Sequence, residues 1–81
     1  MAQFNVLYFG QLKDITNVSS EIIEPAKNTP ASILESIKRK YPESEHLVRS
    51  CAVSVNLDYV DEDSEVAPNS EVAIIPPVSA G

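Results

Sequence analysis

Eighty-one residues with one cysteine and a formal net charge of −6 define a single small domain. Such a domain buries about 60 to 65 % of its unfolded surface, which excludes a large enclosed active site. The charge repels nucleic-acid phosphates and favours a basic protein partner.

No apolar run approaches the ~20 residues of a membrane span, and Met1-Ala2-Gln3-Phe4 does not open a charged-then-apolar leader. The expectation is a soluble protein of the cytoplasm, with no membrane partner. Cys51 has no partner within the sequence for a disulfide, in keeping with a reducing compartment. Charge is unevenly spread. Lys13, Lys27, Lys38, Arg39 and Lys40 nearly balance the acids of residues 1–41, whereas no lysine or arginine occurs from Ser50 onward. Asp61-Glu62-Asp63 can be read as a solvated face or as a device steering the C-terminal tail into a basic pocket.

In chain order, Gln3 to Phe9 sets Phe4, Val6 and Tyr8 on one side and Leu7 and Phe9 on the other, predicting a central strand. Gly10 to Asn17 fits a turn of helix or a structured loop. A second strand runs from about Ser19 to Glu24, with Ile22 and Ile23 as its core contribution, and Pro25 closes it. Thr29-Pro30 is a helix start, a capping hydroxyl followed by a residue whose missing N–H costs nothing there. Ile33, Leu34, Ile37 and Tyr41 share one face of that helix. Lys38-Arg39-Lys40 meet the negative end of its dipole, and Pro42 ends it.

Glu43 to Arg49 predicts a short helical turn, with His46 at the surface and no ligand set around it. Cys51, Val53, Val55 and Leu57 alternate with Ala52, Ser54 and Asn56 as a half-buried strand in which Cys51 packs rather than reacts. Asn56-Leu57-Asp58 turns the chain into a short strand at Tyr59-Val60. Pro68-Asn69-Ser70 is a further turn, and Glu71 to Ile75 is a last strand, apolar on both faces. Phe9, Leu57, Tyr59 and Ile75 could serve core or interface, with core the default.

The order β-β-α-β-β-β predicts an α+β fold, a mixed sheet curled around one main helix with its first and last strands adjacent at the centre. That is the ubiquitin-like β-grasp arrangement, one domain over residues 1–81. The β-grasp iron–sulfur proteins need four cysteines and are excluded. No metal ligand set, nucleophile with a base, or glycine-rich phosphate loop is legible.

What remains is the tail. Pro76-Pro77 cannot prolong a ladder and favours stiff extension, so Pro76, Pro77, Val78, Ser79, Ala80 and Gly81 are expected to project as a partner-binding arm, reaching about 20 Å at ~3.3 to 3.6 Å per residue. Gly81 ends it without a Cβ, leaving its carboxylate carbon open to approach. A frayed, inert end is the alternative. A carboxylate is a poor electrophile until adenylation supplies a leaving group. An activated Gly81 could accept sulfur and present it inside another protein's pocket.

Val55-Asn56 through Gly81, above all Glu71-Val72-Ala73-Ile74-Ile75-Pro76-Pro77-Val78-Ser79-Ala80-Gly81, resembles the MoaD group of the MoaD/ThiS sulfur carriers, as does the opening Phe4-Asn5-Val6-Leu7-Tyr8-Phe9-Gly10. That group ends in an acidic residue, a short apolar strand, Pro-Pro, an apolar residue, one or two variable positions and Gly-Gly. Its Pro-Pro favours the molybdenum-cofactor branch. The resemblance implies that Gly81 is adenylated by a ubiquitin-activating-type enzyme, which uses ATP, and becomes a thiocarboxylate. The carrier itself binds no cofactor or metal. Its sulfur then passes to cyclic pyranopterin monophosphate within a heterotetramer of two small and two large molybdopterin synthase subunits. Ala80 stands where the group has its penultimate glycine. A carrier for thiamine or tRNA thiolation, a protein-conjugating modifier, and a non-catalytic β-grasp interaction module are the rival readings.

Overall fold

The computed structural model describes residues 2–76. Strand β1, Phe4–Tyr8, buries Phe4, Val6 and Tyr8 and exposes Asn5. Helix α1, Gly10–Thr16, anchored by buried Leu12, settles the open choice between helical turn and loop. It ends at Asn17, whose φ of 64° is the left-handed cap that asparagine tolerates. Strand β2, Ser20–Ile23, returns antiparallel to β1.

Helix α2, Pro30–Lys40, starts as its sequence predicts. The Ser32 N–H donates to Thr29 Oγ1 at 3.2 Å, and Pro30 opens the first turn. Ile33, Leu34 and Ile37 are buried against the sheet, and the chain leaves the helix at Tyr41. A 3₁₀ turn, Pro42–Ser44, and the short helix α3, Glu45–Val48, lead to strand β3, Ala52–Val55. Strand β4, Asp58–Tyr59, pairs back on β3, and strand β5, Glu71–Ile75, completes the sheet.

The sheet order is β2-β1-β5-β3-β4, with β1 and β5 parallel and every other pair antiparallel. The last strand therefore occupies the middle, held on both sides, and the first lies beside it. The core fills one face of the sheet: Phe4, Val6, Tyr8, Val53, Val72 and Ile74 meet Ile33, Leu34 and Ile37 of α2, with Leu12, Val48 and Val66 closing its margins. Val66 is held by the loop between β4 and β5, where the Val66 N–H donates to Asn28 O and the Ala31 N–H to Glu62 O, tying that loop to the start of α2.

Several expectations are corrected. The strand expected from Cys51 to Leu57 covers only Ala52–Val55. The turn expected at Asn56-Leu57-Asp58 is present: Asn56 and Leu57, at φ 50° and 76°, form a two-residue hairpin turn of the type that needs positive φ at both central residues. Leu57 is 90 % exposed rather than part of the buried stripe, and the following strand begins one residue early, at Asp58. Ser54, assigned to the polar side, is buried between Ala73 of β5 and Tyr59 of β4. Ile22 is exposed while Ile23 alone joins the core, because only alternate residues of an edge strand face α2.

Candidate functional site: the root of the tail and the open sheet face

Strand β5 delivers the tail. Ile74 stands opposite Tyr8 of β1 and Ile75 opposite Ala52 of β3, so the segment before Pro76 is hydrogen-bonded into the centre of the sheet. Pro76 is partly buried. Of the six residues expected to project as an arm, Pro76 is the one described, and it packs partly against the body. The remaining residues expected to work, Pro77, Val78, Ser79, Ala80 and Gly81, lie outside the described residues.

The helices cover one face of the sheet. On the other, the register aligns Leu7, Ala73, Ser54 and Tyr59 across β1, β5, β3 and β4, with Ile75 and Ala52 paired in the next row towards the tail. Tyr59 is 73 % exposed and Phe9, directly after β1, 47 % exposed. Leu57 adds an exposed side chain at the β3–β4 turn. Three of the four residues assigned by default to core, Phe9, Leu57 and Tyr59, are therefore surface. Ile75, partly buried, lies on the open face outside the core. Phe9 follows β1 as Ile75 ends β5, so this apolar surface runs up to the point where the tail departs.

The acidic run lies away from that point. Asp63 and Glu65 line a cleft with Ala2 and Thr29, at the end where β1 begins, and the parallel β1 and β5 carry the chain from there to the opposite end. Asp61, Glu62 and Asp63 are exposed. Their placement supports the solvated-face reading over short-range steering of the tail.

Beneath the sheet, one polar cluster ties β1 and β2 to the end of α2. The buried Tyr8 hydroxyl donates to Glu21 Oε2, and Lys40 Nζ contacts Glu21 Oε1, each at 2.5 Å. The Tyr41 ring stands edge-on to Tyr8, with centroids 6.4 Å apart. Burial, then the Glu21 hydrogen bond, raises the Tyr8 hydroxyl above its ordinary value. Burial alone would raise the Glu21 carboxyl, but hydrogen bonds from Lys40 and Tyr8, with Tyr41 adding to them, hold it below its ordinary value. Elsewhere, Cys51 Sγ donates to Leu47 O at 3.1 Å, and burial pushes the thiol up to about 11. That thiol packs, as expected, and is a weak nucleophile at neutral pH. Among the described residues, no group of three or more His, Cys, Asp or Glu side chains could hold a metal ion, and no helix is long and apolar enough to cross a membrane.

A five-stranded mixed sheet on one long helix, with its last strand at the centre, makes this a ubiquitin-like β-grasp protein. It belongs to the ThiS family, whose model matches residues 6–81. The chain is 40% identical over 84 residues to the molybdopterin synthase sulfur carrier subunit of Pyrenophora tritici-repentis, covering 96% of this chain and 89% of that one. It is 29% identical over 85 residues to the human protein of the same name, covering 100% and 97%. Among solved structures it is similar to the small archaeal modifier protein 1 of Methanosarcina acetivorans, with TM-score 0.86 and 19% identity over 100% of this chain and 98% of that one. It is also similar to a chain of the complex of subunits 1 and 2 of the molybdopterin-converting factor from Helicobacter pylori, with TM-score 0.68 and 20% identity over 98% and 99%. These structural likenesses bear on the fold.

Two features escaped the sequence. Asn56 signalled a turn, but leucine in the second turn position is atypical, so the exposure of Leu57 was hidden. Gly10 follows the first strand as one of only two glycines, yet its neighbour is sixty-six positions away in sequence, at Pro76.

Proposed function

We propose that the chain is the sulfur carrier subunit of a molybdopterin synthase. The observation that carries this reading is the placement of β5: the strand gripped on both sides ends at Ile75, immediately before the Pro-Pro tail, in a chain whose relatives bear that name. A rigid root fixes where the reacting terminus can go, which is what a carrier needs when the acid–base groups belong to its partners.

In this scheme the Gly81 carboxylate attacks the α-phosphorus of ATP on a ubiquitin-activating-type enzyme, releasing pyrophosphate. Hydrosulfide from the sulfur source then attacks the acyl carbon, forming the C–S bond as the C–O bond to AMP breaks, and leaves a thiocarboxylate. The tail, Pro76 to Gly81, enters the large synthase subunit, where the sulfur is delivered to cyclic pyranopterin monophosphate. The carrier holds no cofactor, works in the cytoplasm and forms a heterotetramer of two small and two large subunits. The exposed Phe9, Leu57 and Tyr59, with Ile75 beside them, are the surface it offers to both enzymes. Leu57 supports that role: an apolar side chain held in the left-handed region and almost wholly exposed serves neither turn geometry nor core.

Intact mass after incubation with ATP, the activating enzyme and a sulfur source tests the reading. The expected gain equals one oxygen exchanged for sulfur, and it is lost when Gly81 is deleted or a residue is added after it. No gain, with the activating enzyme shown to work on a Gly-Gly carrier, would overturn it.

A further inference from the structure

We propose that Glu71 forms an ion pair with a lysine or arginine of the large synthase subunit when the carrier docks, at the edge of the open sheet face. Glu71 opens β5, and Ala73 and Ile75 follow it at alternate positions, so its exposed side chain stands on the open face with theirs. Ala73 lies two residues further on, about 7 Å along the strand. The Glu71 backbone is held from both sides. It pairs with Asn5 of β1, and across from it the Asn56 N–H donates to Glu71 O at 2.9 Å while the Glu71 N–H donates to Asn56 Oδ1 at 3.0 Å. Asn56 also opens the turn that presents Leu57, so the carboxylate and that apolar tip share one mount.

Among the described residues, no strand contains a lysine or arginine. The basic side chains belong to the helical side: Lys13 on α1, Lys27 before α2, Lys38, Arg39 and Lys40 on α2, and Arg49 after α3. The ion pairs formed there are Lys38–Glu35, Lys40–Glu21 and Arg49–Glu45, and Glu71 takes part in none of them. Its neighbours across the sheet, Asn5 and Asn56, carry no charge. In the free carrier, water solvates the carboxylate. A partner that closes over Leu57 and Tyr59 removes part of that water, and an opposing cation offsets the loss. An apolar patch edged by a carboxylate, with no basic residue in the strands beneath it, fits a partner whose own apolar patch is edged by a cation.

The inference rests on the sulfur-carrier reading, and its test separates the two. Glu71→Gln and Glu71→Lys are compared with the same changes at Glu43, an exposed carboxylate on the 3₁₀ turn of the helical side. Stopped-flow binding of each full chain to the large synthase subunit is measured at low ionic strength and at ~1 M salt, where the Debye length is only ~3 Å. Glu71→Gln should slow association roughly threefold and Glu71→Lys roughly tenfold, and both differences should shrink at high salt. The changes at Glu43 should have little effect. Denaturant midpoints should match the parent's, because Glu71 is tied into the sheet through its backbone, so a loss of fold cannot stand in for a loss of pairing. Association of Glu71→Lys as fast as the parent's, with the parent taking up sulfur and binding, would overturn this proposal and leave the carrier reading standing. Equal slowing by the changes at Glu43 would also overturn it, since overall charge would then be enough. A parent chain that neither takes up sulfur nor binds the large subunit would overturn both.

Discussion

Glu21 shows how one side chain can join three elements. Its carboxylate accepts from Tyr8 on β1 and Lys40 on α2 while sitting on edge strand β2, and its side chain is 14% exposed. Because its folded pKa is depressed, its contribution to stability is present above the ordinary carboxylate pKa and is lost as pH falls through the lower folded value. Tyr8 and Lys40 are raised, so their contributions hold below their ordinary values and are lost as pH rises through the folded ones. Glu21→Gln should therefore lower stability by about 1 to 3 kcal/mol at neutral pH and flatten the acid limb of the stability curve. Denaturant unfolding at a series of pH values checks this. An unchanged acid limb would assign that limb to other carboxylates.

At the scale of elements, the β3–β4 hairpin combines a turn and an exposed apolar tip. Its turn is tied to β5 by the Asn56 side chain, whose Oδ1 accepts from the Glu71 N–H at 3.0 Å. Leucine at φ 76° pays the left-handed penalty of ~1 to 2 kcal/mol, and Leu57→Gly would restore the Asn-Gly pair that such turns favour. The greater unfolded-state freedom of glycine offsets part of the gain, so stability should rise by up to about 1 kcal/mol. Affinity for the large synthase subunit should fall. A variant more stable and equally well bound would remove Leu57 from the docking surface. The same hairpin marks where sequence reading fails. Alternation located β1, α2 and β5 and placed β1 beside β5, because burial on one face imposes a strict period. It could not tell which apolar residues of the opposite face meet solvent, since Phe9, Tyr59 and Ile22 look like core residues until the helices are all found on the other side. The tail beyond Pro76 lies outside the described residues, so its reading as a site still rests on its prolines, its terminal glycine and the family resemblance.

Over the whole molecule, docking and chemistry are assigned to different surfaces, and kinetics should separate them. The open face is a rigid patch of the sheet, so removing apolar area from it weakens every state of the complex alike. Tyr59→Ala should raise KM for the carrier several-fold and leave kcat unchanged, as expected for loss of uniform binding. Position 80 acts at the other end of the process. Under the proposed function, a Cβ there restricts φ and widens the chain one residue before the carboxylate proposed to react, a cost met when the terminus is seated for attack rather than when the domain docks. Ala80→Gly should therefore raise kcat for thiocarboxylation and for sulfur transfer while KM stays constant. Single-turnover intact-mass kinetics with each partner reads both quantities. Rates for the parent chain already equal to those of Ala80→Gly in both half-reactions would show that the channels around the terminus have room for the methyl group.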